Sequence, residues 1–417
     1  MDLDPNRPSA RPPDRRILLA DADAFYVSVA RLVDPEGAGR APLLIVGGTP
    51  ERRGVVTSAS YEARGYGVHS AMPMARAVRL CPGATVVPVS WEACAAKSRE
   101  IKQVLERFTP AVEQASSDEF YLDLSGTEKL YRGEPLAATA RRIRDAVIRE
   151  TKLSVSIGGG TSKLIAKLAA GLAKPGPAGA GDGVHVVEPG AEVAFMRRFA
   201  LADLPLVGPR FQERLERLGL RTVEDVLRHD QRQLVAWLGE REGEWLYERV
   251  RGIDRSAVDH SGEPKSISRD DTFPEDLNDD AALERELLER VDDATSDLRE
   301  AGLLARTVTV KLRDHDFTTR QASRTLPGPV CSDRAVYAVA RELLRKLRKA
   351  RHVPARLIGV SLSQLVRMDG EPQLSLLASD PGTAVETERD RALARLIDRV
   401  RERFGPDAVA RGRTPER

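Results

Sequence analysis

Two apolar segments of the chain run directly into acidic residues, and they predict two strands that end at one sheet edge. Residues 17–20 (ILLA) lead into Asp21, and Asp118 and Glu119 lie between two alternating apolar segments. A lone acidic pair of this kind is most simply a turn in a β-hairpin. Two acidic strand ends at one edge gather negative charges, which raise the pKa values of the carboxyl groups unless a divalent ion neutralises them. The pattern therefore predicts a metal site.

The residues around these acids indicate which metal to expect. The carboxylates are hard oxygen ligands, and no His or Cys lies near them in the sequence. Such ligands favour Mg²⁺ over zinc or copper, and Mg²⁺ usually completes its shell with water and substrate phosphates. A pair of ions about 3.5–4 Å apart can activate a hydroxyl and stabilise a leaving pyrophosphate. Phosphoryl transfer is the predicted chemistry, and it requires a basic region to hold a triphosphate.

That basic region is predicted between the two acidic elements. Residues 55–60 favour a strand that leads into a short helix, on which Tyr61 and Arg64 share one face. Gly65 and Gly67 are expected to end this helix. A solvated helix face is the alternative interpretation of the Tyr–Arg pair.

A further helix is predicted from the leucine spacing after a glycine run. Residues 158–160 (GGG) are expected to open it, and three leucines in the segment 164–172 recur every four residues. The helix should end at Lys174, because Pro175 disfavours helical backbone in the residue before it. A lysine at such a position is usually only a favourable partner of the helix dipole.

Four motifs, in this order, resemble those of the Y-family DNA polymerases, the translesion enzymes, and most of all the DNA polymerase IV branch. Residues 21–26 resemble the first metal motif of that family, 58–64 its triphosphate motif, 116–119 its second metal motif and 166–175 its last motif. The resemblance extends over residues 16–370. It implies an α+β multidomain fold, a right-hand polymerase with palm, fingers, a helix-hairpin-helix thumb and a little-finger domain.

The domain boundaries are read from the same resemblance, together with the composition of the linkers. The expected segments are a disordered tail (1–15), the palm (16–24 and 91–183), the fingers (25–90), the thumb (184–255), a linker (256–265), the little finger (266–368) and a C-terminal tail (369–417).

The resemblance also implies roles for single residues. The catalytic residues that it implies are the metal-binding carboxylates Asp21, Asp118 and Glu119, joined by the Ala22 carbonyl as a metal ligand. The implied dNTP-binding residues are Phe25, Tyr26, Ser58, Tyr61, Arg64 and Lys174, the first two through their amides. Tyr26 is the expected steric gate, whose ring leaves no room for a ribose 2′-hydroxyl. The chain departs from the family at Ala30, which replaces a glutamate, and in the longer loop 176–183.

The thumb is expected to grip DNA through a helical hairpin. Residues 204–210 precede an amphipathic helix and resemble a helix-hairpin-helix, whose backbone amides face a DNA phosphate. Gly208 and Arg210 are therefore candidate DNA contacts, and Leu206 stands where the family often has a glycine. A plain helical hairpin is the alternative. A second hairpin is predicted around Gly239.

The little finger is expected to add basic contacts to DNA. Residues 307–313 and 357–362 alternate with period two, which predicts strands, and a basic helix lies between them. The candidate DNA contacts are Lys311 and Arg313 on the strand and Arg345, Lys346 and Lys349 on the helix. A solvated face is the alternative for the basic helix.

The C-terminal tail contains a short match to a docking motif. Residues 373–377 (QLSLL) resemble the motif with which bacterial polymerases dock in the sliding clamp, with Leu377 in place of the commoner Phe. Gln373, Leu374, Leu376 and Leu377 are the clamp-binding candidates, and a chance apolar match is the alternative. An amphipathic helix is predicted from about 389 to 404.

Composition fits several domains and no membrane segment. The chain has 417 residues, a formal net charge of +2, and three cysteines without metal spacing, which are most simply reduced thiols of a cytoplasmic protein. It shows no apolar stretch of about 18 residues and no signal-peptide pattern at its start. A monomer is expected, bound in use to chromosomal DNA.

The expected function is template-directed, error-prone translesion synthesis, without a proofreading exonuclease. The partners that it implies are primer-template DNA, dNTPs and a sliding clamp, with two Mg²⁺ ions as cofactors. A non-catalytic adaptor of the same fold is the alternative, although all three metal carboxylates are present. A palm-domain nucleotidyl cyclase would not explain the hairpin thumb or the basic module.

Overall fold

The computed structural model describes residues 15–175, 181–368, 386–405 and 408–409. The described chain forms two compact units that divide after Gly262, except that residues 51–53 belong to the second unit. The strands are β1 (Ile17–Ala22), β2 (Leu44–Gly47), β3 (Val56–Ala59), β4 (Thr85–Val87), β5 (Val112–Gln114), β6 (Glu119–Asp123), β7 (Val155–Gly160), β8 (Val184–Val186), β9 (Ser266–Leu277), β10 (Leu303–Asp314), β11 (Thr319–Val330) and β12 (Ala355–Arg367). The helices are α1 (Phe25–Val33), α2 (Tyr61–Arg64), α3 (Met74–Leu80), α4 (Trp91–Glu106), α5 (Leu136–Thr151), α6 (Lys163–Ala173), α7 (Glu192–Met196), α8 (Pro209–Arg217), α9 (Val223–Leu227), α10 (Gln231–Leu238), α11 (Glu240–Arg249), α12 (Asp280–Glu300), α13 (Asp333–Ala350) and α14 (Glu388–Phe404).

The central sheet of the first unit has the strand order β5-β6-β1-β7-β8. Side chains of β1 alternate between two helix layers, as the period of a strand requires. Leu18 and Ala20 pack with α4 and α5, whereas Ile17 and Leu19 pack with α6. Asp21 has the same parity as Ile17 and Leu19, so its side chain lies on the α6 side of the sheet.

A smaller sheet, in the order β3-β2-β4, lies in the chain segment between β1 and α4. Helices α2 and α3 pack on one face of it, around Ile45 and Met74, and Val27 of α1 packs on the other face against Leu44 and Val46. Ser60 caps α2 by accepting a hydrogen bond from the Ala63 amide, and Gly65 ends that helix. The strand and short helix expected around Tyr61 are thus confirmed.

Helices α7 to α11 form a helical cluster whose core includes Leu164 and Leu168 of α6. Gly239 separates α10 from α11 with φ of +88°, a conformation that favours glycine. The second predicted hairpin is therefore confirmed. At the first hairpin, Leu206 adopts φ of +74° although it is not glycine, and its side chain is 80% exposed.

The second unit is a four-stranded antiparallel sheet in the order β11-β10-β12-β9. Helices α12 and α13 cover one face of this sheet with an apolar layer that includes Val310 and Leu343. Helix α14, which was predicted from its amphipathic pattern, is fixed to the same unit by ion pairs such as Arg299–Asp398 at 2.5 Å.

None of the helices that the structure describes combines the length and apolar character needed to cross a bilayer.

The glycine run at 158–160 does not open a helix, so this expectation was wrong. These residues are the end of the buried strand β7, and α6 begins later, at Lys163. A Cβ atom on Gly158 would lie 2.1 Å from the Ala166 carbonyl oxygen and 2.0 Å from the Ala170 nitrogen. The glycines therefore let the backbone of α6 approach the sheet.

Candidate active site

Asp21 and Glu119 are direct neighbours on two antiparallel strands. Asp21 of β1 is the Cα register partner of Glu119 of β6. The Ala22 amide donates a hydrogen bond to the Asp118 carbonyl oxygen at 2.9 Å, which extends the pairing by one residue. The predicted gathering of carboxylates at one sheet edge is confirmed, and the acidic pair also lies at the turn of the β5–β6 hairpin.

Lysines from the neighbouring helix contact two of these carboxylates. The Lys174 ammonium lies 2.8 Å from Asp21 Oδ2. The Lys167 ammonium contacts both carboxylate oxygens of Glu119, at 2.8 and 2.6 Å. Burial raises the pKa of the Asp21 carboxyl to about 6 in spite of Lys174, and the charges of Glu119 and Asp118 add to this rise. The ionised form of Asp21 is therefore disfavoured by its burial and by the neighbouring carboxylates, and a bound cation would stabilise it.

Asp118 is held differently from the other two acids. Its carboxylate accepts a hydrogen bond from Ser116 Oγ at 2.6 Å within the turn. Ser116 Oγ also accepts a hydrogen bond from the Glu119 amide at 3.0 Å. The side chain of Ser116 thus fixes the turn that presents both acidic residues.

The connection from β1 to α1 is a tight turn next to these acids. Ala24 has φ of +44° and ψ of +47°, a left-handed conformation that is uncommon for a residue with a side chain. The turn sets the N-terminus of α1 beside the end of β1, where the first helical amides, those of Phe25 and Tyr26, have no partner within the helix. Such amides favour a phosphate. Phe25 is only 2% exposed, so its ring packs in the core and its amide is the only part left to contact a ligand.

Asp23, the second acid of the segment 21–26, is buried. Its carboxylate accepts hydrogen bonds from Ser154 Oγ and Ser156 Oγ, each at 2.7 Å. Its amide donates to the Ser154 carbonyl oxygen at 2.9 Å. Asp23 therefore ties the turn to β7. Sequence patterns gave no signal for this contact, because the two serines lie more than 130 positions away.

Tyr61 and Arg64 form one unit on α2, as expected. The Arg64 guanidinium lies over the Tyr61 ring, 4.9 Å from its centroid, and its Nε donates to the Ala59 carbonyl oxygen. The Tyr61 hydroxyl is buried without a hydrogen-bond partner. Burial, with the negative charge of Asp23, raises the pKa of Tyr61 to about 12. A buried hydroxyl with no partner is costly, and a phosphate oxygen would satisfy it.

The remaining residues of the predicted nucleotide site differ in exposure. Ser58 lies on β3 and is 5% exposed. Tyr26 is half-buried, and its ring meets the ring of Trp91 edge-on, with 6.1 Å between the centroids. This contact orients the Tyr26 ring, which a steric gate requires.

Comparison with known proteins identifies the family. The model of the impB/mucB/samB family matches residues 20–171, the model of its C-terminal domain matches 264–376, and that of the DNA polymerase-iota thumb domain matches 202–254. The DNA polymerase IV of Alkalilimnicola ehrlichii is 39% identical over 87% of this chain and 99% of its own length. The chain belongs to the Y-family DNA polymerases, in the DNA polymerase IV group. The DNA polymerase IV of Dehalococcoides mccartyi is 34% identical over 96% of this chain and 97% of its own.

The fold of this Y-family polymerase agrees with a solved structure. A Y-family DNA polymerase chimera of Dbh and Dpo4 matches with a TM-score of 0.75 and 25% identity, over 84% of this chain and 99% of the chimera. The expected fold class, a right-hand polymerase with palm, fingers, helix-hairpin-helix thumb and little-finger domain, is confirmed. Family membership also means that the polymerase uses a divalent metal and binds DNA and nucleotide.

The donor set of the polymerase suits such a metal. Carboxylate and carbonyl oxygens at the end of β1 and the start of β6 are ligands that Mg²⁺ prefers. Within residues 15–175 and the other described parts, no three Asp, Glu, His or Cys side chains converge closely enough to hold an ion. Asp21 and Glu119 point to Lys174 and Lys167 instead. The oxygen ligands therefore fit a divalent metal ion, and Lys174 and Lys167 occupy two of these carboxylates in the structure.

The candidate DNA contacts of the second unit lie on opposite faces. Lys311 and Arg313 have the parity of β10 that points away from the helices, in register with polar residues of β11. Arg345, Lys346 and Lys349 lie on the exposed side of α13, which packs on the other face. One duplex surface cannot contact both sets. Lys311 pairs with Asp270 at 2.5 Å and Arg345 with Glu284 at 2.7 Å.

In the thumb of the polymerase, Gly208 caps the start of α8 and Arg210 is exposed in its first turn. A Cβ at Gly208 would meet nothing within 4 Å, so this helix end is open to a ligand. The clamp candidates Gln373, Leu374, Leu376 and Leu377 lie outside the described residues.

Proposed function

We propose that this polymerase extends a primer 3′ end by phosphoryl transfer, with two Mg²⁺ ions held by Asp21, Asp118, Glu119 and the Ala22 carbonyl. The register pairing of Asp21 with Glu119 is the observation that carries the proposal. It sets carboxylates from two distant motifs side by side, with Asp118 one residue further along. When bound, the ions would activate the 3′-hydroxyl and stabilise the leaving pyrophosphate.

The nucleotide is proposed to lie between the start of α1 and helix α2. The amides of Phe25 and Tyr26 face the phosphates from a helix N-terminus, where the helix dipole favours negative charge. Tyr61 and Arg64 donate to the phosphates from the other side, and the partnerless Tyr61 hydroxyl supports this role. Lys174 joins them when it leaves Asp21, and Ser58 completes the set. Tyr26 closes the space beneath the sugar C2′.

DNA is proposed to be held by the thumb and by the open face of the little-finger sheet. The start of α8, with Gly208 and Arg210, presents amides and a guanidinium to a phosphate. Lys311 and Arg313 line the face of the sheet that the helices leave uncovered. This arrangement favours Lys311 and Arg313 on β10, rather than the basic residues on α13, as the DNA contacts of the little finger.

The clamp contact through residues 373–377 rests on the sequence match alone. We expect the polymerase to act as a monomer on chromosomal DNA in the cytoplasm, and a clamp would hold it at the primer terminus. The C-terminal domain model ends at residue 376, inside this motif.

Primer extension tests the proposed chemistry. With each dNTP supplied singly on a defined template, the wild type should add the complementary nucleotide. Asp118→Ala and Glu119→Ala should abolish extension and leave the primer-template Kd within a few-fold, because the thumb and little finger carry most of the DNA contacts. Template-independent addition, or near-normal extension by either variant, would contradict the assignment. A wild type that binds primer-template without extending it would favour the non-catalytic adaptor.

A further inference from the structure

Three lysines of one helix and its C-terminal end face three carboxylates of the sheet. Lys163 contacts both carboxylate oxygens of Glu113, at 2.6 and 2.7 Å. Lys167 contacts Glu119 in the same two-point manner, at 2.8 and 2.6 Å. Lys174 contacts Asp21 at 2.8 Å. Two of these three pairs involve proposed metal ligands, and the third does not.

The pattern follows from the periods of a helix and a strand. Lys163 and Lys167 are four residues apart, so they share one face of α6. Glu113, Glu119 and Asp21 all have the strand parity that faces α6, because Glu113 is the register partner of Tyr121, and Tyr121 packs with Ala166 and Ala170. The helix therefore lays its ammonium groups along the row of acids.

We propose that Lys167 is a positioning residue whose ammonium is a counter-ion on Glu119, and that it must leave before Glu119 can bind a metal ion. The inference rests on the proposed two-metal function and adds a residue to it. Lys167 contacts both oxygens of Glu119, so a metal ion that binds either of them meets the ammonium at short range, where the two positive charges repel each other. A cation and the ammonium compete for the same oxygens.

The anionic substrates supply new partners for the displaced lysines. Lys174 is proposed to move to the triphosphate. Lys167 is partly buried, with 38% of its side chain exposed, so a new anionic partner would stabilise the ammonium once it has left Glu119. Tyr61, Arg64 and Lys174 already serve the triphosphate, which leaves the backbone phosphates of the primer for Lys167. Metal loading at Glu119 thereby becomes dependent on the arrival of primer-template DNA.

Direct measurement of Mn²⁺ binding tests this inference without turnover. Free Mn²⁺ is followed by electron paramagnetic resonance in titrations of the full-length protein, without dNTP. Lys167→Met should bind Mn²⁺ roughly fivefold more tightly than the wild type, since a partly exposed ion pair contributes up to about 1 kcal/mol. Lys167→Arg should resemble the wild type. Lys163→Met removes an equivalent pair at Glu113 and should leave the Mn²⁺ affinity unchanged.

Addition of primer-template DNA gives the second arm. It should tighten Mn²⁺ binding of the wild type and have a smaller effect on Lys167→Met, in which the counter-ion is already gone. Equal Mn²⁺ affinity of the wild type and Lys167→Met, or equal effects of Lys163→Met and Lys167→Met, would overturn the inference. Lys167→Gln provides a second neutral variant if the Met variant folds poorly.

Glu119→Gln separates failure of this inference from failure of the proposed function. If Glu119→Gln binds Mn²⁺ as the wild type does, the metal assignment itself is wrong. If Glu119→Gln loses affinity while Lys167→Met matches the wild type, the metal assignment stands and only the role of Lys167 is lost.

Discussion

Ser156 Oγ donates a hydrogen bond to Asp23 Oδ1 at 2.7 Å, and this contact joins the turn after β1 to strand β7. Both residues are buried, at 0% and 4% exposure. The turn carries the Ala22 carbonyl and the first amides of α1. The geometry of the proposed phosphate site therefore depends on a bond that touches no substrate.

Removal of the Ser156 hydroxyl should weaken both the fold and the nucleotide site. Ser156→Ala leaves the buried Asp23 carboxylate with one donor fewer, which should lower the free energy of unfolding by about 1–3 kcal/mol. The rate of dNTP incorporation should fall while the primer-template Kd stays unchanged. In an Asp23→Ala background the same substitution should have little additional effect on the unfolding free energy, as a double-mutant cycle would show. Additive losses would argue against the contact.

Sugar selection should depend on the ring of Tyr26. Tyr26→Ala removes the proposed barrier at C2′ without touching a metal ligand, so ribonucleotide incorporation should rise while dNTP incorporation persists. Tyr26→Phe keeps the ring and should retain discrimination. The exposed Tyr66 provides a matched control, since Tyr66→Ala should have no effect in competition between rNTP and dNTP. Unchanged selection by Tyr26→Ala would move the gate elsewhere.

The salt dependence of DNA binding should distinguish the two faces of the little finger. Each phosphate contact contributes roughly −0.9 to the slope of log K against log salt on duplex DNA. Lys311→Ala with Arg313→Ala should flatten this slope and weaken binding to all sequences alike. The triple variant Arg345→Ala, Lys346→Ala and Lys349→Ala changes more charge on the opposite face and should leave the slope unchanged. The reverse result would place DNA against α13.

Close packing between β7 and α6 should make Gly158 sensitive to the smallest substitution. Gly158→Ala would set a Cβ against the main chain at Ala166 and Ala170, and we expect the free energy of unfolding to fall by about 3 kcal/mol or more. Gly171 lies on α6 with open space around it. Gly171→Ala should be neutral or should raise stability by up to about 1 kcal/mol, because alanine favours helix. Chemical denaturation of both variants checks the comparison.

Clamp docking should be separable from catalysis. Replacing Gln373, Leu374 and Leu376 with alanine should remove the stimulation of synthesis by a sliding clamp and leave clamp-free extension unchanged. Two leucines that become buried in a clamp pocket could contribute about 1.5–3 kcal/mol each before ordering costs. Equal stimulation of the wild type and the triple variant would show that the sequence match has no role in docking.

The sequence predicted those parts of the site in which local pattern and chemistry coincide. Asp21, Asp118 and Glu119 follow or precede apolar strands, and Tyr61 and Arg64 share a helix turn, so their grouping could be inferred. The serines that hold Asp23 are far away in sequence, and hydroxyls carry no periodic signal. Lys167 could be placed on a helix, but the strand that this helix would face was unknown.

The wrong expectation about the glycine run, and the prediction of a single set of DNA contacts in the little finger, both have physical explanations. Glycines occur both at the start of helices and at the end of strands, so the run alone does not distinguish the two. The structure shows that Gly158 is needed in the strand because the main chain at Ala166 and Ala170 leaves no space for a Cβ atom. The basic residues of β10 and α13 were taken as one DNA-binding set because both are positive. Amphipathic patterns show which side of each element is buried, but not that the two polar sides point in opposite directions.

The glycines of β7 affect the ion pairs between α6 and the carboxylates of the sheet. Gly158 and Gly160 face α6 without side chains, so the main chain at Ala166 and Ala170 and the side chain of Ile165 lie directly against β7 and set the distance between helix and sheet. That distance also determines whether Lys163, Lys167 and Lys174 can reach their acids. An uncharged substitution in β7 that moved the helix outward would lengthen all three ion pairs together. Such a substitution would therefore change the electrostatic potential at the proposed metal ligands, as replacement of a lysine does, while leaving every charged residue in place.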